Sequence, residues 1–282
     1  MKQIVVISGK GGTGKTVLTA SFAALAKNKV MADCDVDAAD LHLLLHPAVR
    51  ERHEFKSGKT AKLDKKICNR CGKCVVACRF GAISDDMAID PVSCEGCGLC
   101  SLICPVSAIT MKENIAGEWF ISDTRYGPFV HAKLGIAEEN SGKLVAKVRD
   151  VAKEIAEKEN LEHVIIDGPP GIGCPVIASL SGVDCALIVT EPTLSGLHDA
   201  KRVIEVAEHF KVPVKLVVNK YDLNNEMTRD IENFCKNKGI VVAGKIGFDK
   251  AIVGSMVAGK TIVEHSGGRL KEEIVKIWEG LK

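Results

Sequence analysis

The sequence predicts a mostly parallel, doubly wound α/β sheet interrupted by a small cysteine-rich α+β module. Three observations carry that expectation. Short apolar runs rich in Val, Ile and Ala recur at Met1–Ser8, Lys29–Asp33, His163–Asp167, Asp184–Thr190, Val214–Asn219 and Ile240–Ile246, with helical periodicity between them. The hydrophobic fraction is 46% but aromatics make up only 4%, which suits strands buried on both faces. Eight of the twelve cysteines lie between positions 68 and 104, too dense for a core and spaced as ligands. At 282 residues the chain is long enough to bury one large core and carry a small extra module.

Charge and hydropathy exclude several classes. A net charge of +2 gives no bulk attraction to nucleic acid or membrane. The apolar start runs straight into a glycine-rich loop, so it does not read as a signal peptide, and no apolar run approaches the roughly 18 residues of a spanning helix. A cytoplasmic protein is expected, and in that compartment dense cysteines point to metal rather than to disulfides.

Met1–Ser8 reads as a buried strand and Val17–Ala26 as a helix, with Gly9-Lys-Gly-Gly-Thr-Gly-Lys15-Thr16 between them. Strand, glycine-rich turn and helix in that order make a phosphate-binding loop. Its glycines let successive N–H groups point at phosphate oxygens, and the positive end of the helix adds to the attraction. Gly11, Gly12, Thr13, Gly14, Lys15 and Thr16 are therefore the candidate nucleotide cradle, with Lys15 on the β- and γ-phosphates and the Thr16 hydroxyl on Mg²⁺.

The stretch Lys10-Gly-Gly-Thr-Gly-Lys15-Thr16 resembles the deviant Walker A motif of the MinD/ParA/Mrp family of dimeric P-loop ATPases. The resemblance implies ATP with Mg²⁺, hydrolysis to ADP and phosphate, and a homodimer in which Lys10 reaches the partner's nucleotide. Two lysines beside the phosphates would offset charge that develops during transfer. Lys29-Val-Met-Ala-Asp33-Cys-Asp35-Val-Asp37 reads as a second strand ending in acids. Carried over from the family, Asp35 orients the attacking water and Asp33 supports Mg²⁺ or the loop lysine. Asp37-Ala-Ala-Asp40 before Leu41–Leu45 reads as a helix N-cap with an acid three residues on. Cys34 reads as a small buried side chain.

From His46 the pattern breaks. Glu54–Leu63 suggests a hairpin around Ser57-Gly58, and then one pattern occurs twice: Cys68-x2-Cys71-x2-Cys74-x3-Cys78, and Cys94-x2-Cys97-x2-Cys100-x3-Cys104-Pro105. It resembles the internal repeat of a two-cluster bacterial ferredoxin, where the fourth cysteine of each run ligates the other run's cluster. One 4Fe–4S cluster is thus expected on Cys68, Cys71, Cys74 and Cys104, the other on Cys78, Cys94, Cys97 and Cys100. Zinc, the competing metal, takes ligands two and two and has little use for a third cysteine at this spacing. The first run departs from the pattern, with Arg79 after Cys78 in place of proline. The expected division is an ATPase part at 1–60, the ferredoxin insertion at 61–113 and the rest of the ATPase at 114–282.

Gly117–Leu134 alternates as strands with a turn at Gly127-Pro128, and Glu138–Lys143 leads into a helix from Leu144 to Lys158. Arg125, His131 and Lys143 are polar groups in apolar or turn sequence; a partner-facing role and plain surface positions both fit them. The strand at His163 delivers Asp167, which by resemblance holds Mg²⁺ through water, while the Gly171 N–H senses the γ-phosphate. Cys174 lies seven residues beyond Asp167, the spacing at which the related nitrogenase iron protein places a ligand of its subunit-bridging cluster. That protein's other cysteine has no counterpart between residues 110 and 166, so a buried thiol and a transient cluster or cargo contact both stand. Asn219 matches the family's adenine-reading asparagine. Asn219-Lys-Tyr-Asp222 also fits a guanine motif, and the deviant Walker A decides for ATP.

Leu270, Ile274, Ile277, Trp278 and Leu281 share one helical face, expected to pack on the sheet rather than to bind lipid as MinD's terminal helix does, since its polar face mixes four cations with three glutamates. Taken whole, the resemblance implies an iron–sulfur ATPase whose nucleotide-driven dimer switch gates electron transfer, or delivery of a cluster, to a donor, acceptor or client protein. The alternatives are an Mrp-type cluster carrier without a redox role and a MinD/ParA-like positioning module. Eight complete cluster ligands favour electron transfer, because a transferred cluster needs an open site.

Overall fold

A computed structural model describes residues 1–135 and 141–282. In chain order the elements are β1 (Lys2–Ser8), α1 (Lys15–Leu25), β2 (Lys29–Asp33), α2 (His42–Leu45), β3 (Ala48–Leu63), α3 (Lys73–Ala77), α4 (Leu99–Leu102), β4 (Ile109–Thr124) and β5 (Gly127–Leu134). There follow α5 (Ser141–Lys158), β6 (His163–Pro170), α6 (Cys174–Leu180), β7 (Cys185–Thr190), α7 (Leu194–His209), β8 (Val214–Asn219), a 3₁₀ turn at Tyr221–Leu223, α8 (Asn225–Lys238), β9 (Val241–Ile246), α9 (Ala251–Val257), α10 (Ile262–His265) and α11 (Gly268–Glu279). The chain divides into two units. The first comprises Met1–His53, Trp119–Leu134 and Ser141–Lys282; the second is Glu54–Glu118 with Gly135.

The strand order is β3-β4-β5-β2-β6-β1-β7-β8-β9. In the first unit β1 lies between β6 and β7, parallel to both, and β2 lies parallel between β5 and β6. The order reverses at β1, and at such a switch point the carboxyl ends of the strands open a crevice. Ile4–Ile7 and Val164–Ile166 are fully buried, as runs covered on both faces must be. Helix α1 sets Phe22 against Trp278 of α11, ring centroids 5.4 Å apart. Helix α11 in turn buries Leu270, Ile274, Ile277 and Trp278. Gly244 of β9 makes room for it, since a Cβ there would fall 2.5 Å from Ile277 Cγ1. The C-terminal apolar face therefore packs on the sheet, and no described helix is long and apolar enough to cross a membrane.

Several local expectations are corrected. Ser57-Gly58 does not turn the chain: β3 continues through it, with Gly58 at φ +74°; His53, Phe55 and Ser57 alternate with exposed neighbours before it, and the alternation breaks at the exposed Lys59. The tight turn before β5 is at Arg125-Tyr126, closed by the Thr124 hydroxyl, which accepts from Tyr126 N (3.1 Å) and donates to Gly127 O (2.8 Å). Asp37 does not cap α2. Asp33 fixes that entry instead, its Oδ2 accepting from Leu41 N at 3.3 Å. Of the segment read as leading into α5, Glu138, Glu139 and Asn140 lie outside the described residues.

The second unit is held by a small core of Ala61, Cys74, Ile83, Met87 and Ile109. Its short helices α3 and α4 pack against each other, and Ile83 bridges Ile89.

His131 belongs to the interior rather than to a partner face. It stacks between Phe120 and Phe129 (4.9 and 4.6 Å), with Nε2 3.0 Å from Ser122 Oγ. Burial pulls its pKa from 6.5 down to about 4. The folded chain thus refuses a proton that the unfolded chain accepts, so stability is intact above pH 6.5 and is lost as pH falls toward 4. The loss is at most on the order of 3 kcal/mol at about 1.4 kcal/mol per pH unit. Urea midpoints across this window should fall more steeply in wild type than in His131→Phe; equal slopes would rule out the buried neutral ring.

Candidate functional site

In the first unit the carboxyl ends of β1, β2, β6 and β8 bring Lys15, Asp33, Asp35, Asp167 and Asn219 together. Gly12 (φ +78°) and Gly14 (φ +90°) hold left-handed conformations that glycine alone adopts without strain, and these shape the loop that opens α1. Lys15 Nζ is buried 3.0 Å from Asp35 Oδ2 and 3.8 Å from Asp167 Oδ1. Burial by itself would lower the lysine's pKa, but the carboxylates of Asp167, Asp35 and Asp33 outweigh it and hold the ammonium above its ordinary value. Asp33 and Asp167 are register partners on neighbouring parallel strands. Burial raises both their pKa values, and in Asp33 the Asp167 charge adds to it.

Three buried carboxylates against one lysine leave this crevice short of positive charge. Asp33 is satisfied by the backbone N–H groups of Asp35 and Leu41. Asp167 accepts from Thr19 Oγ1 at 3.0 Å, the Thr16 hydroxyl nearby favours its charged form, and its Oδ2 is buried with no hydrogen-bond partner. That orphaned oxygen beside a hydroxyl is a donor set that fits Mg²⁺, which takes one or two carboxylates plus phosphate and water rather than a full protein cage. Among the described residues, in this crevice and in the cysteine runs alike, no group of three His, Cys, Asp or Glu side chains is already placed to hold a single metal ion.

Asn219 is buried against the loop. Its Nδ2 donates to Thr13 O at 2.7 Å and its Oδ1 accepts from Lys220 N at 3.0 Å, leaving one N–H and one lone pair for a base. Beside it Gly14, Val17, Leu18, Ile246, Ile252, Ile262 and Ile274 line a small, mostly apolar recess. Gly171 (φ +92°) donates its N–H to Ser8 O at 2.9 Å, so binding a γ-phosphate would require exchanging that acceptor. Lys10 Nζ lies within its own chain's 191–195 turn, 3.2 Å from Ser195 Oγ and 3.6 Å from Glu191 Oε2. Cys174 is exposed at the start of α6, so the buried-thiol reading falls. Arg125 is tied to Glu264 (2.9 Å), and Lys143 sits in the first turn of α5. Cys34, as expected, is buried.

Sequence reading missed Thr19 and Glu191. Thr19 was legible in principle, because it lies one turn after Lys15 on the same face of α1. Glu191, which pairs with both Lys10 and Lys220, carries no local signal.

In the second unit two cavities are lined by cysteines. Cys68, Cys71, Cys74 and Cys104 line one; Cys78, Cys94, Cys97 and Cys100 line the other. Backbone N–H groups point at sulfur, Ala108 N to Cys104 Sγ at 3.2 Å, Arg70 N to Cys68 Sγ at 3.4 Å and Ala61 N to Cys94 Sγ at 3.5 Å. Amides from Val106 onward hold the Cys104 thiol below its ordinary pKa, whereas burial pushes the Cys74 and Cys100 thiols up.

A family model described as the CobQ/CobB/MinD/ParA nucleotide-binding domain matches residues 4–262. The chain belongs to this family. Membership makes it a nucleotide-binding ATPase of MinD/ParA type. It is 36% identical to an uncharacterised protein of Methanocaldococcus jannaschii over 99% of this chain and 96% of the relative. It is 28% identical to the septum site-determining protein MinD of Bacillus subtilis over 50% of this chain and 54% of that one. Among solved structures, MinD of Pyrococcus horikoshii complexed with Mg-ADP superposes with a TM-score of 0.60 at 17% identity, covering 100% of this chain and 96% of that one, a likeness of fold.

Asp35 holds Lys15, and the sequence expects a second duty of it, orienting the attacking water. Asp35→Asn should cut ATP turnover by about 100-fold or more while weakening ATP binding less than about tenfold, measured by phosphate release and by titration with a fluorescent nucleotide. Losses of equal size would leave it only the first duty.

Proposed function

We propose that the protein is an ATP-driven dimeric switch that carries two 4Fe–4S clusters in its second unit and uses its nucleotide state to gate one-electron transfer to or from a partner protein in the cytoplasm. The observation that carries this reading is the sorting of eight cysteines into two cavities, each lined by three cysteines of one run and the fourth of the other. Four thiolates with amide N–H donors fit a cubane, which supplies reversible one-electron storage. The spacing and the amide–sulfur contacts support the same ligand sets, Cys68, Cys71, Cys74 with Cys104, and Cys94, Cys97, Cys100 with Cys78.

At the nucleotide, Lys15 and the loop amides would bind phosphate, Thr16 and Asp167 would hold Mg²⁺ with Asp33 behind them, and Asp35 would orient water. Lys10 would leave its Ser195 contact to reach the partner protomer's nucleotide. Mg²⁺, when bound, would neutralise charge on the phosphates. Delivery of a cluster through exposed Cys174 is a second reading, favoured by that exposure. A MinD/ParA-like nucleotide-switched positioning module is a third reading, which family membership fits; the buried apolar face of α11 leaves it no lipid-binding helix there.

Anaerobic preparations should contain about eight iron and eight sulfide per chain, and Cys104→Ser should lose about half of the iron. Two zinc per chain without sulfide would overturn the reading. Light scattering on Asp35→Ala should give a dimer with Mg-ATP that Lys10→Ala abolishes; an oligomeric state indifferent to ATP would remove the sandwich dimer.

A further inference from the structure

The two cysteine runs are alike in ligands and opposite in charge. Asp64–Arg79 holds Lys65, Lys66, Arg70, Lys73 and Arg79 against Asp64 alone, whereas the equivalent stretch Asp90–Pro105 has Asp90 and Glu95 and no cation. All five cations are exposed. Lys66, Arg70 and Lys73 form no ion pair with a described residue; Lys65 feels Asp86, and Arg79 lies over Phe80 at 4.7 Å. Free cations without partners gain nothing within the fold, and they concentrate positive potential around Cys68, Cys71 and Cys74.

An apolar centre sits beside this charge. Val76, one helical turn from Lys73 on α3, is 90% exposed, and Leu102 on the neighbouring α4 is 85% exposed. They are the two most exposed large apolar side chains among the described residues of this unit, one on each of two helices that pack together. An apolar centre with a charged rim is the make-up of a transient protein interface, in which the rim steers encounter and the centre excludes water. Cys71 is itself exposed, so a partner covering this face would come close to the first cysteine set.

We propose that this face docks an acidic one-electron carrier protein over the cluster held by Cys68, Cys71, Cys74 and Cys104. The assignment rests on the iron–sulfur reading above. A single electron leaves the reduced carrier, which is oxidised by one, and enters that cluster, which is reduced by one; no bond or proton changes hands. The five cations of the first run then attract the acidic carrier, and Asp90 and Glu95 of the second run contribute nothing to that attraction. Charge complementarity selects a protein with a negative face, and the apolar centre favours a folded protein surface over a polyanion, to which Val76 and Leu102 would offer nothing.

The probe is an oxidised acidic flavodoxin, whose flavin fluorescence reports binding independently of iron. With the intact, iron-loaded protein its affinity should fall about tenfold or more between about 20 and 300 mM salt, as screening by rim charges requires. Lys66→Glu, Arg70→Glu and Lys73→Glu combined should weaken it by about tenfold or more at low salt, whereas Asp90→Lys with Glu95→Lys should not weaken it. Val76→Ser should weaken binding without changing the salt slope. Iron content and basal ATP turnover should be unchanged in all these variants. Flavodoxin binding that ignores the triple reversal would overturn the docking surface while full iron content leaves the cluster reading standing; preparations without iron would overturn both. Cations required for binding duplex DNA or phosphatidylserine vesicles, and not for flavodoxin, would overturn the choice of partner.

Discussion

Buried negative charge at the carboxyl ends of β2 and β6 is the constraint on which the nucleotide unit depends. Asp33 and Asp167 face each other across neighbouring strands, Asp35 follows two residues on, and one ammonium serves all three. Ions removed from water cost several kcal/mol each unless their lone pairs are met. The fold meets most of them with the Asp35 and Leu41 amides, with Thr19 and with Lys15, and leaves Asp167 Oδ2 unmet. A crevice so arranged favours a cation that arrives with phosphate oxygens. The parallel sheet makes it possible, because β1, β2, β6 and β8 end on one side and the loop before α1 closes over them.

The second unit answers a different shortage. Its core of Ala61, Cys74, Ile83, Met87 and Ile109 is small, and units of this size commonly rely on disulfides or metal for stability. Cysteines ringing two cavities in place of larger apolar side chains are what such a unit would need if iron and sulfide completed its interior. The route out follows the acids that end β2, and the return through β4 leads into β5, which pairs with β2 at Met31 and Ala32.

Much of this was legible in the sequence because the decisive patterns are local. Gly9–Thr16 names its own loop, since strand, turn and helix lie within a few residues, and the cysteine runs repeat at fixed spacing. The face of α11 followed from apolar residues at helical intervals. Expectations failed where distant partners decide. Ser57-Gly58 looks like a turn, yet Gly58 takes its positive φ within a strand that continues to Leu63. The entry to α2 is set by Asp33 rather than by the nearer Asp37, and His131 is placed by Phe120 and Phe129. Glu191 meets Lys10 only because β7 lies beside β1.

The central claim is that nucleotide state and cluster state are one coupled equilibrium. It is tested most directly by an EPR-monitored redox titration of the protein with ATP on an Asp35→Ala background and with ADP on the wild type. Couplings between sites are typically about 1–3 kcal/mol and are reciprocal. At about 59 mV per tenfold change for one electron, the midpoint potential should therefore shift by some tens of millivolts between nucleotides, with ATP affinity changing by the matching factor on reduction. Potentials that coincide within error, with ATP affinity indifferent to reduction, would contradict it.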